Sequence, residues 1–575
     1  MPVTNAEVAD VFREIADLLA IEGANRFRVR AYRDAAGTVA RLSEPVADMV
    51  AAGDDLSALH GIGDDLADKI ATLVANDGHL PQLDEIRART PPGLADLLKI
   101  SGLGPKRVRR LHEELGITNL TELGKAAQQE QIRTLSGFGP KLEQKIAAGV
   151  AAHAEREPRT LLQVAEQMAE PLLAYLKTCD AAQQVAVAGS YRRRQETVGD
   201  LDFVAAGDPA PDIIAHFVDY ADVDTVDSQG DTRATVILRA GMQVDLRAVA
   251  PESFGAALLY LTGSRPHTLV LRNMAVDRDL KLNEYGIFRA GEDEPLAAAT
   301  EEDIYAVFDL DYIPPELRED RGEFDAAREH TLPTLITLDD MRGDLQCHTV
   351  ASDGHAELRD MAEAARALGY AYLAITDHSK FVGITQGLDA AALAAQIDAI
   401  DALNEEWDDF RLLKACEVDI DEDGALVLPD DILARLDLRV CSVHTHFDLA
   451  RDKQTERIIR AMDNPHFNIL AHPTGRIINK RTGYAVDLRR VMEAAKERGC
   501  FLEINAAPDR LDLDDAHAKA AKEMGLKLAV STDAHDTDSL KTMRFGINQA
   551  RRGWLTADDV LNTRPWPELR RLLQR

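Results

Sequence analysis

The chain has 575 residues, 45% of them hydrophobic and 29% charged, with five scattered cysteines and no CxxC pair; this composition excludes a largely disordered chain and a disulfide framework. No apolar run reaches the ~18 residues of a membrane span, and the acidic first segment is unlike a secretory signal, so we expect a cytoplasmic protein without a membrane anchor. The net charge of −32 and the pI of about 4.9 argue against a broadly basic nucleic-acid-binding surface, although one basic groove, backbone amides or metal ions could still hold phosphate.

A short element recurs three times in the helical first third of the chain. Gly61-Ile62-Gly63, Gly102-Leu103-Gly104 and Gly137-Phe138-Gly139 each place an apolar residue between two glycines, ahead of a helical pattern. Such a loop points backbone N–H groups outward at the positive end of the helix dipole. One copy would more simply be a glycine turn, but three copies on successive helices predict phosphate contacts. Lys106 and Lys141 follow the second and third loops, where a phosphate would lie.

Between residues 156 and 248 the pattern changes from helices to apolar strands. The segment VAVAGSYRRRQETVGDLDFVAAG contains a strand, a Gly-Ser turn, a basic helix start and a second strand. Asp200 and Asp202 lie two residues apart on this second strand, so both carboxylates project from one face. Asp245, on a later strand, can complete a cluster of three carboxylates that holds two Mg²⁺ ions for in-line phosphoryl transfer.

The Gly-Ser turn upstream of these aspartates is suited to phosphate. The N–H groups of Gly189 and Ser190, the Ser190 hydroxyl and the Arg193 guanidinium can hold the terminal phosphates of a triphosphate. An isolated D-x-D pair would more simply be a solvated strand edge. The combination of the turn, the pair and a third aspartate on a strand favours a nucleotidyl-transfer site.

These motifs resemble the family X DNA polymerases of the nucleotidyltransferase superfamily. GSYRRRQETVGDLD looks like their nucleotide-binding and catalytic signature, and YLTGS, followed by LNEYGIF, looks like their sugar-discriminating segment. RFRVRAYRDAA and LHGIGDDLADKI look like the N-terminal domain that binds 5′-phosphate and carries lyase activity. The three glycine loops resemble helix-hairpin-helix motifs, which bind the DNA backbone without reading its sequence. Two residues depart from the family pattern, Gln243 in place of a basic residue and Leu261 in place of phenylalanine.

By position, the resemblance implies a role for each matching residue at the polymerase site. Catalysis and the binding of Mg²⁺ or Mn²⁺ fall to Asp200, Asp202 and Asp245, and nucleotide binding falls to Gly189, Ser190, Arg193, Tyr260, Gly263 and Arg272, the last of these near the template strand. DNA-backbone contacts fall to Gly61, Gly63, Gly102, Gly104, Lys106, Gly137 and Gly139.

The resemblance also implies a lyase site in the N-terminal domain. Lys69 matches the position of the family's Schiff-base lysine, and Tyr32 and Arg33 match positions of its 5′-phosphate pocket. A nucleophilic lysine must lose its proton, whereas the neighbouring carboxylates of Asp65 and Asp68 favour the charged ammonium form. Lyase chemistry and a plain surface lysine therefore both stay open, as do phosphate binding and ordinary helix packing for Tyr32 and Arg33.

From residue 336 onward, short β segments alternate with alanine-rich helices, which predicts a parallel βα barrel-like domain. Sets of histidine and acidic residues follow nearly every predicted strand, at the end where such barrels build their sites. Imidazole and carboxylate together suit Mn²⁺, Fe²⁺ or Zn²⁺, and several such ligands can bind two or three ions for phosphodiester hydrolysis. Cys347, Cys416 and Cys441 are offset from the ligand candidates along their strands, so we expect core thiols.

This region resembles the PHP (polymerase and histidinol phosphatase) domain, a distorted βα barrel with a trinuclear metal site. The resemblance implies a Mn²⁺-dependent 3′→5′ exonuclease and related phosphodiesterase action on DNA ends, including AP-endonuclease action. Gln346 departs from the family's His-x-His pattern, and His355 and His446 are expected to lie outside the ligand set. The ligand pattern maps onto His348, Asp353, His378, Glu417, His444, His472, Asp533 and His535.

Together the two regions resemble the bacterial or archaeal family X polymerases with a C-terminal PHP domain. The implied protein is a monomeric, nucleoid-associated enzyme of DNA repair, including base excision repair, that fills gapped or nicked duplex DNA with dNTPs. The fold is multidomain: an N-terminal helical lyase-like and 5′-phosphate-binding domain (1–85), helix-hairpin-helix fingers (86–155), an α+β nucleotidyltransferase palm (156–248), a thumb (249–318), a linker (319–335) and a C-terminal distorted barrel of PHP type (336–575).

Three alternatives stay open at this point. Gln346 favours a gap-filling polymerase whose PHP domain is structural and catalytically inactive. The Gly-Ser turn with the D-x-D pair would also fit a small-molecule nucleotidyltransferase, which leaves the three glycine loops unexplained. The loops alone would fit a non-catalytic DNA-end scaffold, which leaves the three aspartates unexplained.

Overall fold

The structure is a computed structural model that forms two compact units, Met1–Arg159 and Thr160–Arg575. Among the described residues, no helix combines the length and apolar character that a membrane crossing requires. The described residues are 3, 5–42, 46–76, 78–98, 100, 102–154, 159–289, 291–292, 294–380 and 387–575.

The first unit is built from helices joined by short loops. They are α1 (Asn5–Glu22), α2 (Arg26–Arg41), α3 (Val46–Ala52), α4 (Asp64–Ala75), α5 (Pro81–Arg87), α6 (Gly93–Leu97), α7 (Pro105–Leu115), α8 (Leu120–Gln128) and α9 (Pro140–Ala154). Their apolar faces are buried in two hydrophobic cores, one built mainly within residues 3–86 and the other within 94–146.

Each of the three glycine loops precedes a helix, namely α4, α7 or α9. Gly61, Gly102 and Gly137 have φ angles of +70°, +95° and +81°, a left-handed conformation that glycine adopts without strain. The apolar residue between the two glycines is buried in every copy. A Cβ added at the second glycine would meet no described heavy atom within 4 Å, so the backbone ahead of each helix is open to a ligand.

The second unit begins with a palm of α+β structure. Its elements are β1 (Thr160–Leu161), α10 (Leu162–Leu176), β2 (Ala182–Val187), α11 (Gly189–Arg192), β3 (Thr197–Val198), β4 (Leu201–Gly207), α12 (Ala210–Val218), β5 (Val223–Gln229), β6 (Arg233–Leu238) and β7 (Gln243–Val249). The main sheet has the order β2-β4-β7-β6-β5, with β4 and β7 parallel. Apolar residues such as Phe203 and Leu246 alternate along these strands and form one core with α10 and α12.

Residues 254–335 form a smaller helical region with a two-stranded hairpin. Its elements are α13 (Phe254–Thr262), α14 (Arg265–Asp277), β8 (Leu280–Asn283), β9 (Gly286–Arg289), α15 (Glu301–Val307) and α16 (Glu323–Arg328). The polar segment 319–335, expected to be a linker, is instead folded onto this region. The carboxylate of Glu323 is fully buried 2.8 Å from His267 Nδ1, and Phe324 joins the hydrophobic core, so a buried polar pair accounts for part of the segment's polarity.

The C-terminal region is a parallel βα barrel. Its elements are β10 (Gly343–Cys347), α17 (Leu358–Ala367), β11 (Tyr372–Ile375), α18 (Ala390–Asn404), β12 (Arg411–Asp419), α19 (Asp430–Leu433), β13 (Leu438–Ser442), α20 (Arg451–Ala461), β14 (Ile469–Leu470), α21 (Leu488–Arg498), β15 (Phe501–Asn505), α22 (Asp515–Glu523), β16 (Leu528–Ser531), α23 (Met543–Arg552) and α24 (Trp566–Leu573). Adjacent strands pair in chain order from β10 to β16. Beyond the strand ends, the Asp533 N–H donates to the Gln346 carbonyl (3.0 Å) and the His348 N–H donates to the Ala534 carbonyl (2.7 Å). These bonds nearly close the ring and confirm the predicted distorted barrel.

Within the second unit the barrel packs directly on the palm. Phe545 of α23, with Ile478 and Leu511, is buried in the same hydrophobic core as the palm sheet. Ion pairs surround this apolar contact: Arg476–Glu196, Arg544–Glu166, Arg551–Glu316 and Arg552–Glu319.

Candidate active sites

The three predicted aspartates of the palm are brought together at one end of the sheet. Asp202 on β4 and Asp245 on β7 are direct partners in the parallel ladder. Asp200 lies two residues before Asp202, just ahead of β4, and its charge raises the pKa of Asp202. The pairing register of two parallel strands therefore assembles the cluster.

Asp245 is held as a carboxylate by three donors. Thr235 Oγ1 donates to Oδ1 (2.6 Å), Arg233 Nη2 donates to Oδ1 (3.1 Å), and Gln243 Nε2 donates to Oδ2 (2.8 Å). Burial would raise the pKa of Asp245, but these hydrogen bonds outweigh burial and lower it. Gln243, which departs from the family pattern, thus still favours the ionised form of its neighbour.

Asp202 carries the opposite perturbation. Burial and the charges of Asp200 and Asp245 raise its pKa to about 7, against the weaker influence of Arg193 and Arg233. The carboxylates of Asp200, Asp202 and Asp245 repel one another when all three are ionised. A site of this composition fits divalent metal ions that prefer oxygen ligands.

The Gly-Ser turn lies directly against this cluster. A Cβ added to Gly189 would lie 2.1 Å from Asp202 Oδ2, and the φ of Gly189 is +61°. The Ala188 N–H also donates to the Asp202 carbonyl (2.7 Å). Only glycine allows the predicted phosphate-binding turn to approach the aspartates so closely.

Two arginines join this turn to the predicted sugar-contacting segment. Arg192 Nη1 donates to Thr262 Oγ1 (2.7 Å), and Arg193 Nη1 donates to the Thr262 carbonyl oxygen. Arg193 also pairs with Glu319 through Nε (3.1 Å), and its side chain is 13% exposed. The guanidinium of Arg193, which is expected to bind phosphate, is therefore held in place by Thr262 and Glu319.

The remaining nucleotide-site predictions fall on the neighbouring helices. Gly263 follows α13 with a φ of +66°, and its added Cβ would lie 3.2 Å from Arg193 Nη1. Tyr260 is half-buried near the end of α13, whereas Arg272 is exposed on α14. The structure thus brings Gly263 and Arg193 together and places Arg272 on a separate, solvent-facing surface.

A second cluster of ionisable residues lies at the carboxyl ends of the barrel strands. Three overlapping groups can each hold a metal ion, because their ligand atoms lie within 4.8 Å of one another. The groups are His348, Asp353, His378 and His535; His378, Glu417 and His444; and His348, Glu417 and Asp533.

Glu417 is the centre of this cluster. Its Oε2 lies 3.3 Å from His378 Nδ1 and 3.5 Å from His348 Nε2, and its Oε1 lies 3.3 Å from His444 Nε2 and 3.1 Å from His472 Nε2. The predicted ligands on the barrel strands are thereby brought together in one contiguous site. His355 and His446 lie outside all three groups.

Gln346 lies beside this cluster. Its Nε2 donates weakly to Asp533 Oδ1 (3.4 Å), while its Oε1 is buried and has no hydrogen-bond partner among the described residues. His348 Nδ1 and Glu503 Oε1 are likewise buried without such a partner. Unsatisfied buried donors and acceptors of this kind fit bound cations, and they leave an oxygen available at the position where the family pattern has histidine.

Opposite charges perturb the titration of the cluster strongly. Burial alone would lower the pKa of His444, but Glu417 and Asp419 outweigh it and raise this pKa to about 10. Burial of His535 is similarly outweighed by Asp353 and Asp533, which raise its pKa to about 9. Metal ligands must be unprotonated, so metal binding here displaces protons from histidine.

Several buried groups that the ligand pattern does not include hold the ligands in place. Asp419 Oδ1 lies 2.9 Å from His444 Nδ1, and Asp344 accepts hydrogen bonds from the Thr532 N–H and hydroxyl. Both could have been found in the sequence, because Asp419 lies two residues after Glu417 and Asp344 lies two residues before Gln346, on the ligand-bearing faces of β12 and β10.

Asp377 and Arg510 complete the surroundings of the site. Asp377 accepts from the Thr349 N–H (2.8 Å) and from the Ser352 hydroxyl (2.6 Å), which fixes the loop that carries Asp353. Arg510 Nε lies 3.8 Å from Asp533 Oδ2. Arg510 belongs to an irregular segment after β15, so no periodicity in the sequence identifies it.

The cysteine prediction is confirmed. All five cysteines are buried free thiols. Cys347 Sγ donates to the Ala374 carbonyl (3.3 Å) and Cys416 Sγ to the Asp377 carbonyl (3.2 Å), while Cys441 lies in the barrel core. None of them belongs to the metal-binding groups.

The predicted lyase residues lie in the first unit. Lys69 pairs with Asp65, and its ammonium lies 5.9 Å from the centre of the Tyr32 ring. Tyr32 is 3% exposed, whereas Arg33 pairs with Asp17 (3.0 Å). The structure brings Lys69 and Tyr32 together and directs Arg33 to a neighbouring helix.

The lysines after the glycine loops face solvent. Lys106 and Lys141 are exposed at the starts of α7 and α9. Arg107, next to Lys106, instead donates to the Gly102 carbonyl (2.7 Å) and stabilises the loop itself. Each of these two loops therefore combines accessible backbone with a small number of exposed cationic side chains.

Comparison with family models places known domains along most of the chain. Residues 3–77 match a helix-hairpin-helix domain, and residues 94–151 match a SAM-like helix-hairpin-helix tandem. Residues 257–319 match the DNA polymerase beta thumb, and residues 344–507 match the PHP domain.

Comparison with individual proteins gives a full-length relative and several partial ones. A Bacillus subtilis (strain 168) protein named DNA polymerase/3′-5′ exonuclease PolX is 35% identical over 571 residues, which cover 99% of each chain. A probable phosphatase of Thermoanaerobacter sp. (strain X514) is 33% identical over 232 residues, 38% of this chain and 89% of the relative. A probable phosphatase of Acetivibrio thermocellus is 29% identical over 202 residues, 33% of this chain and 78% of the relative. The shorter relatives thus resemble one part of the chain, and the full-length relative resembles both units.

Proposed function

Because the chain belongs to the PolX family, the family X DNA polymerases that carry a PHP domain, we propose that it extends DNA 3′ ends by template-directed nucleotidyl transfer and shortens them by 3′→5′ hydrolysis. The observation that carries the proposal is the presence of two separate clusters of metal-binding character in one folded unit: the three aspartates of β4 and β7, and the histidine-rich ends of the barrel strands.

At the polymerase site, Mg²⁺ or Mn²⁺ would supply Lewis-acid activation of the 3′ hydroxyl and charge neutralisation of the triphosphate. Asp200, Asp202 and Asp245 would hold these ions. The hydrogen bonds that keep Asp245 ionised suit it to hold a metal ion, and by its position in the family pattern it would also accept the proton of the primer 3′ hydroxyl. The Gly189 turn and Arg193 would orient the triphosphate for in-line attack.

At the barrel site, Mn²⁺, Fe²⁺ or Zn²⁺ would supply an activated water and polarise the scissile phosphate. Eight residues would hold the ions: His348, Asp353, His378, Glu417, His444, His472, Asp533 and His535. Asp419 orients His444 through Nδ1, which fixes the ring nitrogen that faces the site. Gln346 would contribute a neutral oxygen, so we expect this metal position to be weaker than the other positions.

The proposal extends to substrate and setting. We infer that the DNA is a gapped or nicked duplex, that dNTPs are the nucleotides, and that the enzyme acts as a cytoplasmic, nucleoid-associated monomer in repair, including base excision repair. The glycine loops with Lys106 and Lys141 would contact the DNA backbone. AP-endonuclease action at the barrel and lyase action at Lys69 belong to the same proposal, and the second requires Lys69, which pairs with Asp65, to lose its proton.

A polymerase with an inactive barrel remains the second candidate, and Gln346 is the observation that favours it. Primer extension on DNA with a one-nucleotide gap tests the polymerase proposal in either case. We expect incorporation of the complementary nucleotide by the wild type and none by Asp202→Ala. Nucleotide transfer without dependence on the template base would instead indicate a small-molecule nucleotidyltransferase or a template-independent enzyme.

A further inference from the structure

One arginine of the barrel domain reaches the nucleotide-binding turn of the palm. Arg552 is the last residue of α23, and its side chain is 2% exposed. Its Nη1 donates to the carbonyl oxygen of Arg193 (2.8 Å) and to Glu319 Oε1 (3.1 Å). A residue of the C-terminal domain therefore contacts the backbone of Arg193, which is predicted to bind the triphosphate.

Glu319 connects these groups. Its Oε1 accepts from Arg193 Nε (3.1 Å), from Gln195 Nε2 (2.6 Å) and from Arg552 Nη1. One carboxylate oxygen thus joins two residues of the palm turn to the barrel. The rigid fork of an arginine suits this position, because it can bind a carbonyl and a carboxylate at the same time.

The other side of Arg552 is also fixed. Its Nη2 donates to Asp515 Oδ2 on α22, and Asp515 pairs in turn with Arg321 Nη1 (3.0 Å). Arg552 is therefore held on one side by Asp515 of the barrel while its other side contacts the palm. Such a residue can transmit a fixed geometry to the palm turn at little entropic cost.

Charge gives the arrangement a consequence for nucleotide binding. Glu319 is shared by two guanidinium groups, so only part of its negative charge acts on Arg193. Without Arg552, the carboxylate would pair with Arg193 alone and compete directly with the phosphates for that guanidinium. The carbonyl of Arg193 would also lose its donor.

We propose that Arg552 is a positioning residue of the polymerase site, acting through Glu319 and the Arg193 backbone to keep the Arg193 guanidinium available to the triphosphate. The C-terminal barrel then has a role in nucleotide binding in addition to hydrolysis. This inference rests on the proposed function, because it takes Arg193 as a triphosphate ligand.

The neighbouring arginine supplies a matched control. Arg551 pairs with Glu316 (2.8 Å) and donates to the Ile336 carbonyl (2.9 Å) at the same domain contact. None of its described contacts is with Arg193 or Glu319. Arg552→Met and Arg551→Met therefore remove the same charge at the same domain contact, with two carboxylate partners lost in the first and one in the second, but only the first disturbs the nucleotide-binding turn.

The test measures single-nucleotide insertion into gapped DNA by the full chain, with 3′→5′ hydrolysis as an internal reference for the barrel. We expect Arg552→Met to raise the KM for dNTP roughly tenfold with kcat within about twofold, because the lost contact supports ground-state and transition-state binding alike. Arg551→Met should leave both constants near the wild-type values. In a Glu319→Gln background, adding Arg552→Met should change KM by less than about twofold, since the carboxylate competitor is already absent.

If Arg552→Met does not fold, Asp515→Asn carries the test with a smaller expected rise in KM, because it loosens Arg552 without removing it. An unchanged KM in a folded variant overturns the inference. Equal effects of Arg551→Met and Arg552→Met, or a fall in kcat that follows the loss of thermal stability, also overturn it in favour of a purely structural contact. Failure of the proposed function is distinguishable, because the wild type itself would then not extend gapped DNA.

Discussion

At the scale of single residues, Gly189 shows how closely the two halves of the polymerase site are built. Its positive φ and the position of Asp202 Oδ2, 2.1 Å from an added Cβ, exclude any side chain without a shift of the turn or of the carboxylate. The turn and the metal-binding strand therefore cannot move independently, and the phosphate-binding and metal-binding functions share one geometry.

Gly189→Ala tests this coupling. We expect it to lower the rate of primer extension by roughly 100-fold, because a displacement near 1 Å at a reacting centre costs about that much. Hydrolysis at the barrel should remain, since none of the proposed metal ligands of the barrel has a described contact with the turn. Gly241→Ala is a matched control at another left-handed glycine, where no described atom lies within 4 Å of the added Cβ. Similar losses in both variants would contradict the close-approach argument.

The raised pKa of Asp202 gives a prediction about stability and pH. Its folded-state value of about 7 exceeds the ordinary value of 3.8, so ionisation destabilises the metal-free fold increasingly from about pH 4 to 7 and fully above that. Asp202→Asn should therefore raise the free energy of unfolding of chelator-treated protein by roughly 1–3 kcal/mol at pH 8, and by less at pH 5.

The pKa of Asp245 is shifted in the opposite direction to that of Asp202, so substitution of Asp245 should have the opposite effect on stability. Hydrogen bonds lower its pKa against the effect of burial, so its ionised form stabilises the fold above its ordinary titration range. Asp245→Asn should destabilise the same metal-free protein at pH 8 and at pH 5 alike, because this stabilisation is lost only as the pH falls below the ordinary value of 3.8. Denaturant unfolding at pH 5 and 8 compares the two variants, and a stability change of the same sign in both would refute the assignment of their perturbations.

Residue-level prediction from sequence succeeded where strand periodicity carries the information. Asp200, Asp202 and Asp245 could be placed on one sheet face because alternate residues share a face and apolar neighbours mark the strands. The same reasoning could have included Asp344 and Asp419. It could not find Arg510 or the orphaned Gln346 oxygen, since their positions depend on an irregular segment and on the closure of the barrel.

At the scale of elements, parallel strand ends concentrate the hydrolytic site. Strands β10 to β16 all run in one direction, so every residue at or just after a strand end reaches the same side of the barrel. Glu417 on β12 can thereby meet histidines from the ends of β10, β11, β13 and β14. Alternation of strands and helices in the sequence is enough to predict this convergence, but not which ligands share an ion.

Proton release on metal binding tests the electrostatics of the histidine-rich cluster at the strand ends. His444 and His535, with pKa values raised to about 10 and 9, are protonated in metal-free protein at pH 8. We expect Mn²⁺ binding to release about two protons, and its affinity to rise at least about tenfold from pH 7 to 8. Isothermal titration calorimetry in buffers of different ionisation enthalpy measures both quantities.

Whereas the affinity for Mn²⁺ should rise with pH, the stability of the metal-free barrel should fall. A histidine whose pKa is raised by folding contributes stability fully below its unfolded value of ~6.5 and loses it as the pH rises through the folded value. The thermal transition of chelated protein should therefore fall from pH 7 to 9, while that of Mn²⁺-loaded protein does not. His444→Ala should reduce the fall, with the remainder due to His535, whereas His446→Ala, outside the cluster, should keep it in full.

The segment 319–335 shows where element prediction from composition fails. Its many charged residues are typical of a linker, yet Glu323 is buried against His267 and Glu319 connects the palm to the barrel. The side-chain partner of Glu323, His267, lies 56 residues away in the sequence, and Arg193, which donates to Glu319, lies 126 residues away. Polarity indicates exposure only when such partners are absent.

At the scale of the whole molecule, the net charge of −32 constrains how DNA can be bound. The glycine loops present backbone N–H groups at helix starts, and the exposed cations beside them are few: Lys106 and Arg107 on α7, and Lys141 and Lys145 on α9. Binding that relies on backbone groups and few cations displaces few counterions from DNA.

The salt dependence of DNA affinity tests this account. We expect a slope of log affinity against log salt of roughly −2 to −4, corresponding to a few phosphate contacts. The double variant Lys106→Ala/Lys141→Ala should make the slope shallower by about one to two units. Fluorescence anisotropy with gapped duplex DNA between 50 and 200 mM KCl measures both. A slope near −8 would indicate an extended basic surface and contradict the account.

The central claim is that one chain carries two separate active sites with opposite effects on a DNA 3′ end. The most direct measurement gives a 5′-labelled primer on a template, with Mn²⁺, to wild type, Asp202→Ala, His378→Ala and the double variant, with and without dNTPs. The account predicts that Asp202→Ala only shortens the primer, that His378→Ala only extends it, and that the double variant leaves it intact. A primer that Asp202→Ala leaves intact at high enzyme concentration would contradict the claim and leave a polymerase with a structural barrel.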